Sequence, residues 1–366
     1  MSIEDERIAL VFAGGVGLGA YQAGAYAGLH AQGAARLDWI AASSVGAANA
    51  AVIAGNAPEN RLERLRTLWM TRATAAGGPF SPSDTAVAWR HAYNWLRVVQ
   101  TRLLGAPGHF HPRSLIPSSH GFRSLYDLAP LRAQLERLVD FGRLNSGGIR
   151  FAVATTDVVT GETVVFDTGK GDRIDVDHLL ASAGYLPEFA PLDLGGRLLG
   201  DGGLSANAPM EAVLLEDDPH PQARICFVVD LFARDGERPA GLEAALARKN
   251  DLLLANQTYN RLELLRRDIE LRNQLTRLTD HVPADAREAL DLTPQPRSRT
   301  RAIVYLSYRA PPEEAGPEKP FDLSSATARD RWRAGELDMA EALRQLGARA
   351  GVSTAACVLL PIRRSR

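Results

Sequence analysis

The stretch AASSVGAANA, residues 41–50, places Ser44 among small residues where a strand is expected to pass into a helix. The preceding residues are apolar enough for a buried strand, and the alanine-rich residues that follow favour a helix. Such a tight turn requires small residues two positions on either side of the serine, and here these are Ala42 and Gly46. The hydroxyl would then stand at a helix N-terminus, where the helix dipole favours developing negative charge. A serine that only caps the helix is the alternative.

A second glycine-rich stretch, AGGVGLGA at residues 13–20, follows the predicted strand Ile8–Phe12 and precedes a helical pattern. A Walker A loop would require a lysine, which Gly19-Ala20-Tyr21 lacks. A dinucleotide-binding loop would fit, but the second strand does not end in the acid that holds the ribose. The third alternative is an oxyanion hole, in which loop N–H groups stabilise a tetrahedral intermediate at a nearby nucleophile. Because the first two strands of a parallel sheet can be neighbours, this loop and Ser44 would share one crevice.

The composition of the 366 residues is that of a globular protein, with 45% apolar and 23% charged residues. A net charge of −1 gives no indication of nucleic-acid binding. Two distant cysteines form neither a disulfide framework nor a metal site, and we expect no metal and no cofactor. The N-terminus is acidic where a signal peptide is basic, and no run of about 20 apolar residues occurs. We therefore expect a cytoplasmic protein that contacts at most the surface of a membrane.

Residues 77–126 differ in composition from the rest of the chain. They contain five arginines, no lysine, one acidic residue and four of the eight histidines. Trp89, Tyr93 and Leu96 fall at helical spacing. We interpret this region as a helical insertion outside the sheet, either a lid or a surface that contacts acyl chains or anionic lipid. The alternative is that its aromatic residues only pack the insertion onto the body of the protein.

The second half of the chain contains one further candidate site, Asp201-Gly202-Gly203, at the end of a predicted strand. This is either a plain turn or a carboxylate directed into a site. Beyond it we predict a long helix from Leu242 to about Leu275, which could be broken, and a late strand over 302–308 at the edge of the sheet. A final helix over 322–346 follows.

Four stretches, taken together and in this order, resemble the patatin-like phospholipase family. They are FAGGVGLGAYQAGAYAGL (12–29) beside the family's G-G-G-x-[KR]-G, ASSVGAANA (42–50) beside its G-x-S-x-G-A, ASAGYLP (181–187) with Phe189 and Pro191, and DGGLSANAP (201–209) beside its D-G-[GA]. The tail KPFDLSSATARDRWRAGELDMAEAL (319–343) resembles a C-terminal extension of some bacterial patatin-like proteins.

The resemblance implies an α/β, three-layer patatin-type fold with a mainly parallel central sheet flanked by helices. The catalytic core would span 6–215, with 77–126 as an insertion, and 216–366 would supply a remaining core strand and a helical C-terminal extension packed on the core. The implied activity is acyl-ester hydrolysis by a Ser–Asp dyad through an acyl-enzyme. The implied roles are Ser44 as nucleophile, Asp201 as its base, the N–H groups of Gly14, Gly15, Val16 and Gly17 as oxyanion hole, and Ala42, Gly46, Gly202 and Gly203 as supports.

The chain departs from the family pattern at Val16, where the family has glycine, at Leu18, where it has a basic residue, and at Ala42. These departures leave open an inactive relative that binds lipid or granule surfaces, and a nucleotide-binding module is a further alternative. A full catalytic triad would need a histidine after the acid, but His220 and His281 lie where surface histidines are usual. The acyl ester used and the oligomeric state are left open.

Overall fold

The fold is built on a nine-stranded, mostly parallel sheet in the part of the chain that the structure describes. The computed structural model describes residues 6–32, 36–70, 87–113, 124–215, 225–283, 286–287, 300–314, 316–348 and 357–362. The strands are β1 (Arg7–Phe12), β2 (Arg36–Ser43), β3 (His111–Pro112), β4 (Tyr126–Asp127), β5 (Arg150–Asp157), β6 (Thr163–Asp167), β7 (Leu192–Leu194), β8 (Arg197–Asp201), β9 (Ile225–Asp230), β10 (Ala302–Ser307) and β11 (Val358–Pro361).

The helices are α1 (Gly19–His30), α2 (Val45–Ala54), α3 (Pro58–Met70), α4 (Val87–Leu104), α5 (Ala129–Leu138), α6 (Phe141–Leu144), α7 (Val176–Ser182), α8 (Glu211–Leu214), α9 (Leu242–Asp280) and α10 (Ser325–Ala348). Short 3₁₀ turns occupy Val16–Leu18, Thr168–Lys170, Gly202–Leu204 and Gly316–Phe321. No helix among these described segments is long and apolar enough to cross a membrane.

The order of strands in the sheet is β11-β10-β9-β1-β2-β5-β8-β7, and β6 also pairs with β5. From β11 to β5 all neighbours are parallel, whereas β6, β7 and β8 are antiparallel to their partners. The central strands read as continuous apolar runs because helices cover both faces. Alternate residues of β1 accordingly enter two separate cores, Ile8, Leu10 and Phe12 on one face and Ala9 and Val11 on the other. This is the predicted patatin-type architecture.

One prediction about the C-terminal part was wrong. The strand near residue 302 is not an edge strand, because β11 pairs in parallel with it and takes the edge. The predicted long helix is confirmed as α9, which is unbroken over its 39 residues. The strand was misplaced because its neighbours in the sheet depend on packing against distant parts of the chain.

The last helix, α10, packs directly on α1, the helix that follows the glycine-rich loop. The two backbones approach so closely that a Cβ at Gly24 would lie 1.9 Å from the carbonyl oxygen of Trp332. A Cβ at Gly335 would lie 2.0 Å from the carbonyl oxygen of Tyr21. Only glycine permits this contact, so the C-terminal part of the chain is joined to the element that carries the loop.

Residues 77–86 and 114–123 of the predicted insertion lie outside the described residues. The described part contains α4 and the short β3–β4 pair. Asn94 donates a hydrogen bond of 2.7 Å to the carbonyl oxygen of Glu313, and Trp95 donates one of 2.9 Å to the carboxylate of Glu243. The described part of the insertion is thereby attached to the C-terminal part of the chain.

Candidate active site

Ser44 forms the predicted sharp turn between β2 and α2. Its φ of +55° and ψ of −128° are unusual for a residue with a side chain, as expected for a strained turn that exposes a nucleophile. Ala42 is fully buried in β2. A Cβ at Gly46 would lie only 2.6 Å from the carbonyl oxygen of Phe12, so the start of α2 rests on the end of β1. The small residues around Ser44 are therefore required by the turn itself.

Asp201 lies at the same level of the sheet as Ser44, two strands away. In β5, Ala154 is paired with Ser43 and the next residue, Thr155, is paired with Asp201. The strand register thus brings the hydroxyl of Ser44 into a hydrogen bond with the carboxylate of Asp201. Both side chains are almost fully buried, at 7% and 3% exposure.

The two glycines after Asp201 fit the carboxylate closely. The N–H of Gly203 donates a hydrogen bond of 2.6 Å to Oδ1 of Asp201. A Cβ at Gly202 would lie 2.4 Å from the carbonyl oxygen of Ala154, so no larger residue fits there. Burial raises the pKa of Asp201 to about 7, against the lowering effect of the hydrogen bonds from Ser44 and Gly203.

The glycine-rich loop lies against Ser44, because β1 and β2 are parallel neighbours. A Cβ at Gly14 would lie 2.9 Å from Cβ of Ser44. The N–H of Gly14 is engaged, donating to the backbone oxygen and to Oδ1 of Asn207, both at 3.1 Å. Gly15, Val16 and Gly17 follow as the start of a 3₁₀ turn, and the first N–H groups of such a turn have no acceptor within it.

Buried side chains hold the carbonyl groups at both ends of this loop. Gln22 donates a hydrogen bond of 2.7 Å to the carbonyl oxygen of Ala13, and Asn49 donates one of 2.8 Å to that of Gly19. Asn49 also accepts a hydrogen bond of 2.8 Å from the indole of Trp69. The loop is consequently held by a polar network on its far side.

Comparison with known proteins identifies the family. A family model described as patatin-like phospholipase matches residues 10–214, more than half of the chain. The chain belongs to the patatin-like phospholipase family. A second model, described as patatin phospholipase, matches residues 255–353. Membership supports hydrolysis of lipid acyl groups as the general class of activity.

Similarity to individual proteins is weaker. The crystal structure of VipD from Legionella pneumophila matches with 11% identity and a TM-score of 0.41, covering 93% of this chain and 67% of that one. No curated protein matches this chain.

Ser182 is a site residue of this patatin-like chain that sequence reasoning missed. Its hydroxyl accepts a hydrogen bond of 2.8 Å from the N–H of Ser44 and donates one of 2.7 Å to the carbonyl oxygen of Ala154. It therefore ties the turn that carries Ser44 to β5. The ASAGYLP stretch that contains Ser182 was noted in the sequence, but nothing in it distinguishes this serine from its neighbours.

Ser182→Ala is expected to lower the free energy of unfolding by about 1–3 kcal/mol, because it leaves a buried N–H and a buried carbonyl without their partner. We also expect kcat for acyl-ester hydrolysis, the activity that the resemblance implies, to fall about tenfold, because the strained turn at Ser44 loses a restraint. Urea unfolding and steady-state kinetics measure the two effects. Unchanged values for both would contradict this role for Ser182.

An apolar pocket opens beside the Ser44–Asp201 pair of the patatin-like site. Its walls come from the loop, α2, α3, α5, the insertion and the segment after α7. Besides Ser44 and Asp201, the lining residues are Val16, Val45, Ala48, Leu68, Trp69, His109, Phe110, Leu128, Leu131, Ala183, Tyr185 and Phe189. His109 packs against Trp69 with ring centroids 5.4 Å apart. The lining suits a hydrocarbon chain far better than a charged group.

Two alternatives to a Ser–Asp pair are a histidine that follows the acid in sequence and a bound metal ion. His281 lies at the end of α9, where its Nδ1 is 2.7 Å from the carbonyl oxygen of Arg277 in the same helix. His220 lies outside the described residues. Within the described segments no group of three or more His, Cys, Asp or Glu side chains could hold a metal ion.

Proposed function

We propose that this patatin-like protein hydrolyses carboxylic esters of acyl lipids, with Ser44 as nucleophile and Asp201 as its base. The observation that carries the proposal is the hydrogen bond between a buried hydroxyl and a buried carboxylate at the wall of an apolar pocket. A serine hydroxyl is a poor nucleophile until a neighbouring base takes its proton. The pocket would receive the acyl chain and bring the ester carbonyl to Ser44.

The reaction proceeds in two halves. Oγ of Ser44 attacks the carbonyl carbon while its proton passes to Asp201, and the tetrahedral intermediate then collapses with loss of the alcohol. Asp201 returns the proton to the departing alkoxide. In the second half a water molecule gives its proton to Asp201 and attacks the acyl-enzyme, and collapse of the second intermediate releases the acid and restores the proton to Ser44.

The environment of Asp201 supports its role as base. An aspartate with an ordinary pKa near 4 is too weak a base to accept a serine proton readily. Burial raises the pKa of Asp201 to about 7, close to the value at which a general base works best near neutral pH. Near neutral pH the carboxylate of Asp201 would therefore be ionised in a large fraction of molecules and basic enough to accept a proton.

The oxyanion hole is proposed to use the N–H groups of Gly15, Val16 and Gly17. The N–H of Gly14 is bonded to Asn207, so in this proposal Gly14 contributes its close approach to Ser44. One such donor is worth about 3–4 kcal/mol of transition-state stabilisation in other hydrolases. With an aspartate as the only base, this loop would supply a large share of the rate.

The test is hydrolysis of p-nitrophenyl butyrate by the wild type together with labelling by a fluorophosphonate probe, which reacts with activated serines. We expect turnover and one probe per chain. A protein that neither hydrolyses the ester nor takes up the probe would contradict the proposal, and lipid binding without catalysis would then be the better account.

We also propose that α4 brings the site to an anionic lipid surface. Trp89, Leu96 and Leu103, spaced by seven residues and so on one face, are 73%, 56% and 69% exposed. The helix has no acidic residue. Two of its three arginines, Arg90 and Arg102, form ion pairs with Asp330 and Glu318, so we propose that Arg97 is the one that meets anionic headgroups. From its end the chain runs directly to Phe110 in the pocket wall.

Replacing Trp89, Leu96 and Leu103 together by serine is expected to weaken binding to phosphatidylglycerol vesicles at least about tenfold, because each lost apolar contact removes membrane affinity. Vesicle co-sedimentation measures this. The matched control replaces Leu264, Leu271 and Leu278 of α9, which are 61%, 58% and 67% exposed. Equal losses in the two triple variants, or none in either, would contradict a specific role for α4.

A further inference from the structure

The glycine-rich loop rests on the C-terminal part of the chain at Gly17. A Cβ at Gly17 would lie 2.7 Å from the carbonyl oxygen of Pro320 and 3.2 Å from that of Asp322. These residues precede α10, which itself packs on α1. The loop that lies beside Ser44 is thus in contact with an element more than 300 residues away in sequence.

Arg331 of α10 makes this contact polar. Its side chain is fully buried, and Nη1 donates a hydrogen bond of 3.0 Å to the carbonyl oxygen of Gly17 and one of 2.8 Å to that of Asp322. Nη2 donates one of 2.8 Å to the carbonyl oxygen of Lys319. Nε and Nη2 also bond the carboxylate of Glu314 at 3.1 and 2.8 Å. Five bonds equal the donor capacity of a guanidinium, so the arrangement is saturated.

The residue before Gly17 needs such a restraint. Val16 has a φ of +48°, a left-handed conformation that is a genuine outlier for a β-branched residue. Strain of this kind persists only where the surrounding structure holds the residue in place. The turn is closed by a 3.1 Å hydrogen bond from the N–H of Leu18 to the carbonyl oxygen of Gly15, and Arg331 holds the other side of the same Gly17–Leu18 peptide.

We propose that Arg331 is a positioning residue that holds the strained Val16 turn, and with it the oxyanion donors, in place beside Ser44. The inference rests on the proposed function. The role is one of geometry rather than charge, because the carboxylate of Glu314 neutralises the guanidinium. Through Arg331, the C-terminal part of the chain would contribute to catalysis.

The same inference explains how the chain tolerates one departure from the family pattern. Val16 replaces the glycine that would adopt a positive φ without strain. Arg331 holds the strained turn in place from α10. The effects of substituting Val16 and Arg331 should therefore depend on each other, and a double-mutant cycle measures this coupling.

The experiment compares Arg331→Met, Val16→Gly and the double variant with the wild type on p-nitrophenyl butyrate. Oxyanion stabilisation acts in the transition state alone, so Arg331→Met is expected to lower kcat about 10–100-fold, part of the value of one oxyanion donor. We expect KM to stay within about twofold for the same reason. In the Val16→Gly background the same substitution should cost at least about tenfold less, because glycine removes the strain.

Arg61→Met is the matched control, because Arg61 is also buried and donates a 3.0 Å hydrogen bond to the carbonyl oxygen of Asn56, in the loop before α3. It should lower the melting temperature without lowering kcat. If Arg331→Met does not fold, Arg331→Lys, which keeps the charge but has fewer donors, takes its place with a smaller loss of kcat in the same direction. An equal loss of kcat in the Val16 and Val16→Gly backgrounds would overturn the inference.

Hydrogen exchange of the segment 13–20 separates this inference from the proposed function, since it needs no turnover. We expect faster exchange in Arg331→Met and unchanged exchange in Arg61→Met. If exchange of residues 13–20 is unchanged in Arg331→Met, the proposal that Arg331 holds the Val16 turn is wrong, even if the wild type is an active esterase. If the wild type is inactive but exchange is faster in Arg331→Met, the proposed function is wrong, while the proposal that Arg331 holds the Val16 turn stands.

Discussion

Ser44→Ala is expected to lower kcat by at least about 10⁴-fold, the scale of loss when the nucleophile of a serine hydrolase is removed. The substitution removes the atom that we propose attacks the ester, while the pocket and the loop remain. The free energy of unfolding should fall by no more than about 1–3 kcal/mol, because alanine removes one hydrogen bond to the buried carboxylate of Asp201, which keeps the bond from Gly203. Steady-state hydrolysis of p-nitrophenyl butyrate and thermal unfolding measure both.

The matched control for this prediction is Ser43→Ala, one residue earlier. Ser43 is also fully buried, but its hydroxyl has no hydrogen-bond partner among the described residues, and it lies in β2 rather than in the turn. We expect its kcat to stay within about threefold of the wild type, since no interaction of the transition state is lost. Equal losses in the two variants would indicate a general effect on folding and would count against Ser44 as nucleophile.

Asp201→Asn is expected to lower kcat by about 10⁴-fold, the effect of replacing the buried acid of other serine hydrolases by its amide. Asparagine has nearly the same shape and can keep the bond from Gly203, but it cannot accept the proton of Ser44. A variant that retains more than about a tenth of the wild-type kcat would contradict the role of base, because general-base catalysis is worth 10² or more.

The pH dependence of the wild type follows from the same carboxyl group. Burial raises the pKa of Asp201 to about 7, and the base must be ionised to accept a proton. In the wild type kcat/KM should therefore rise tenfold per pH unit below about pH 7 and level off above it. A flat profile between pH 5 and 8 would contradict the assignment.

Stability should show the opposite trend. The pKa of Asp201 is higher in the folded state than the value of 3.8 for a free side chain, so the folded protein binds this proton more tightly. The stabilisation is fully present below about pH 4 and is lost as pH rises through about 7. Asp201→Asn should accordingly raise the melting temperature relative to the wild type at pH 8, and this gain should shrink towards pH 4.

The elements around Ser44 and Asp201 could be predicted from the sequence because their signals are local. A strand, a turn of small residues and an alanine-rich helix follow each other within about 18 residues around Ser44. At Asp201 the two following glycines left a plain turn and a site carboxylate open, and the resemblance to the family singled the residue out. Each of these requirements is imposed by the backbone at that point, so the residues themselves record it.

The supports of the site could not be predicted, because they are long-range. Ser182 bonds the N–H of Ser44 across 138 positions of sequence, Asn207 bonds Gly14 across 193, and Arg331 bonds Gly17 across 314. No local pattern distinguishes a serine, asparagine or arginine that will make such a bond. The position of β10 inside the sheet was mispredicted for the same reason, since it depends on β11 near the end of the chain.

The structure also shows how the loop accommodates Val16, which stands where the family has glycine. Val16 replaces a family glycine, and the structure holds it at a positive φ rather than changing the turn. The loop thus keeps the conformation that glycine would adopt at the cost of local strain. Whether a non-glycine residue is tolerated there depends on contacts such as that of Arg331, which lie far away in sequence.

The most direct test of the central claim is to trap the acyl-enzyme. The wild type is mixed with p-nitrophenyl butyrate, quenched in acid within milliseconds, digested and analysed by mass spectrometry. The account predicts a butyryl group on the peptide that contains Ser44 and none on that peptide in Ser44→Ala. A butyryl group on another residue, or hydrolysis that continues at the wild-type rate in Ser44→Ala, would contradict it.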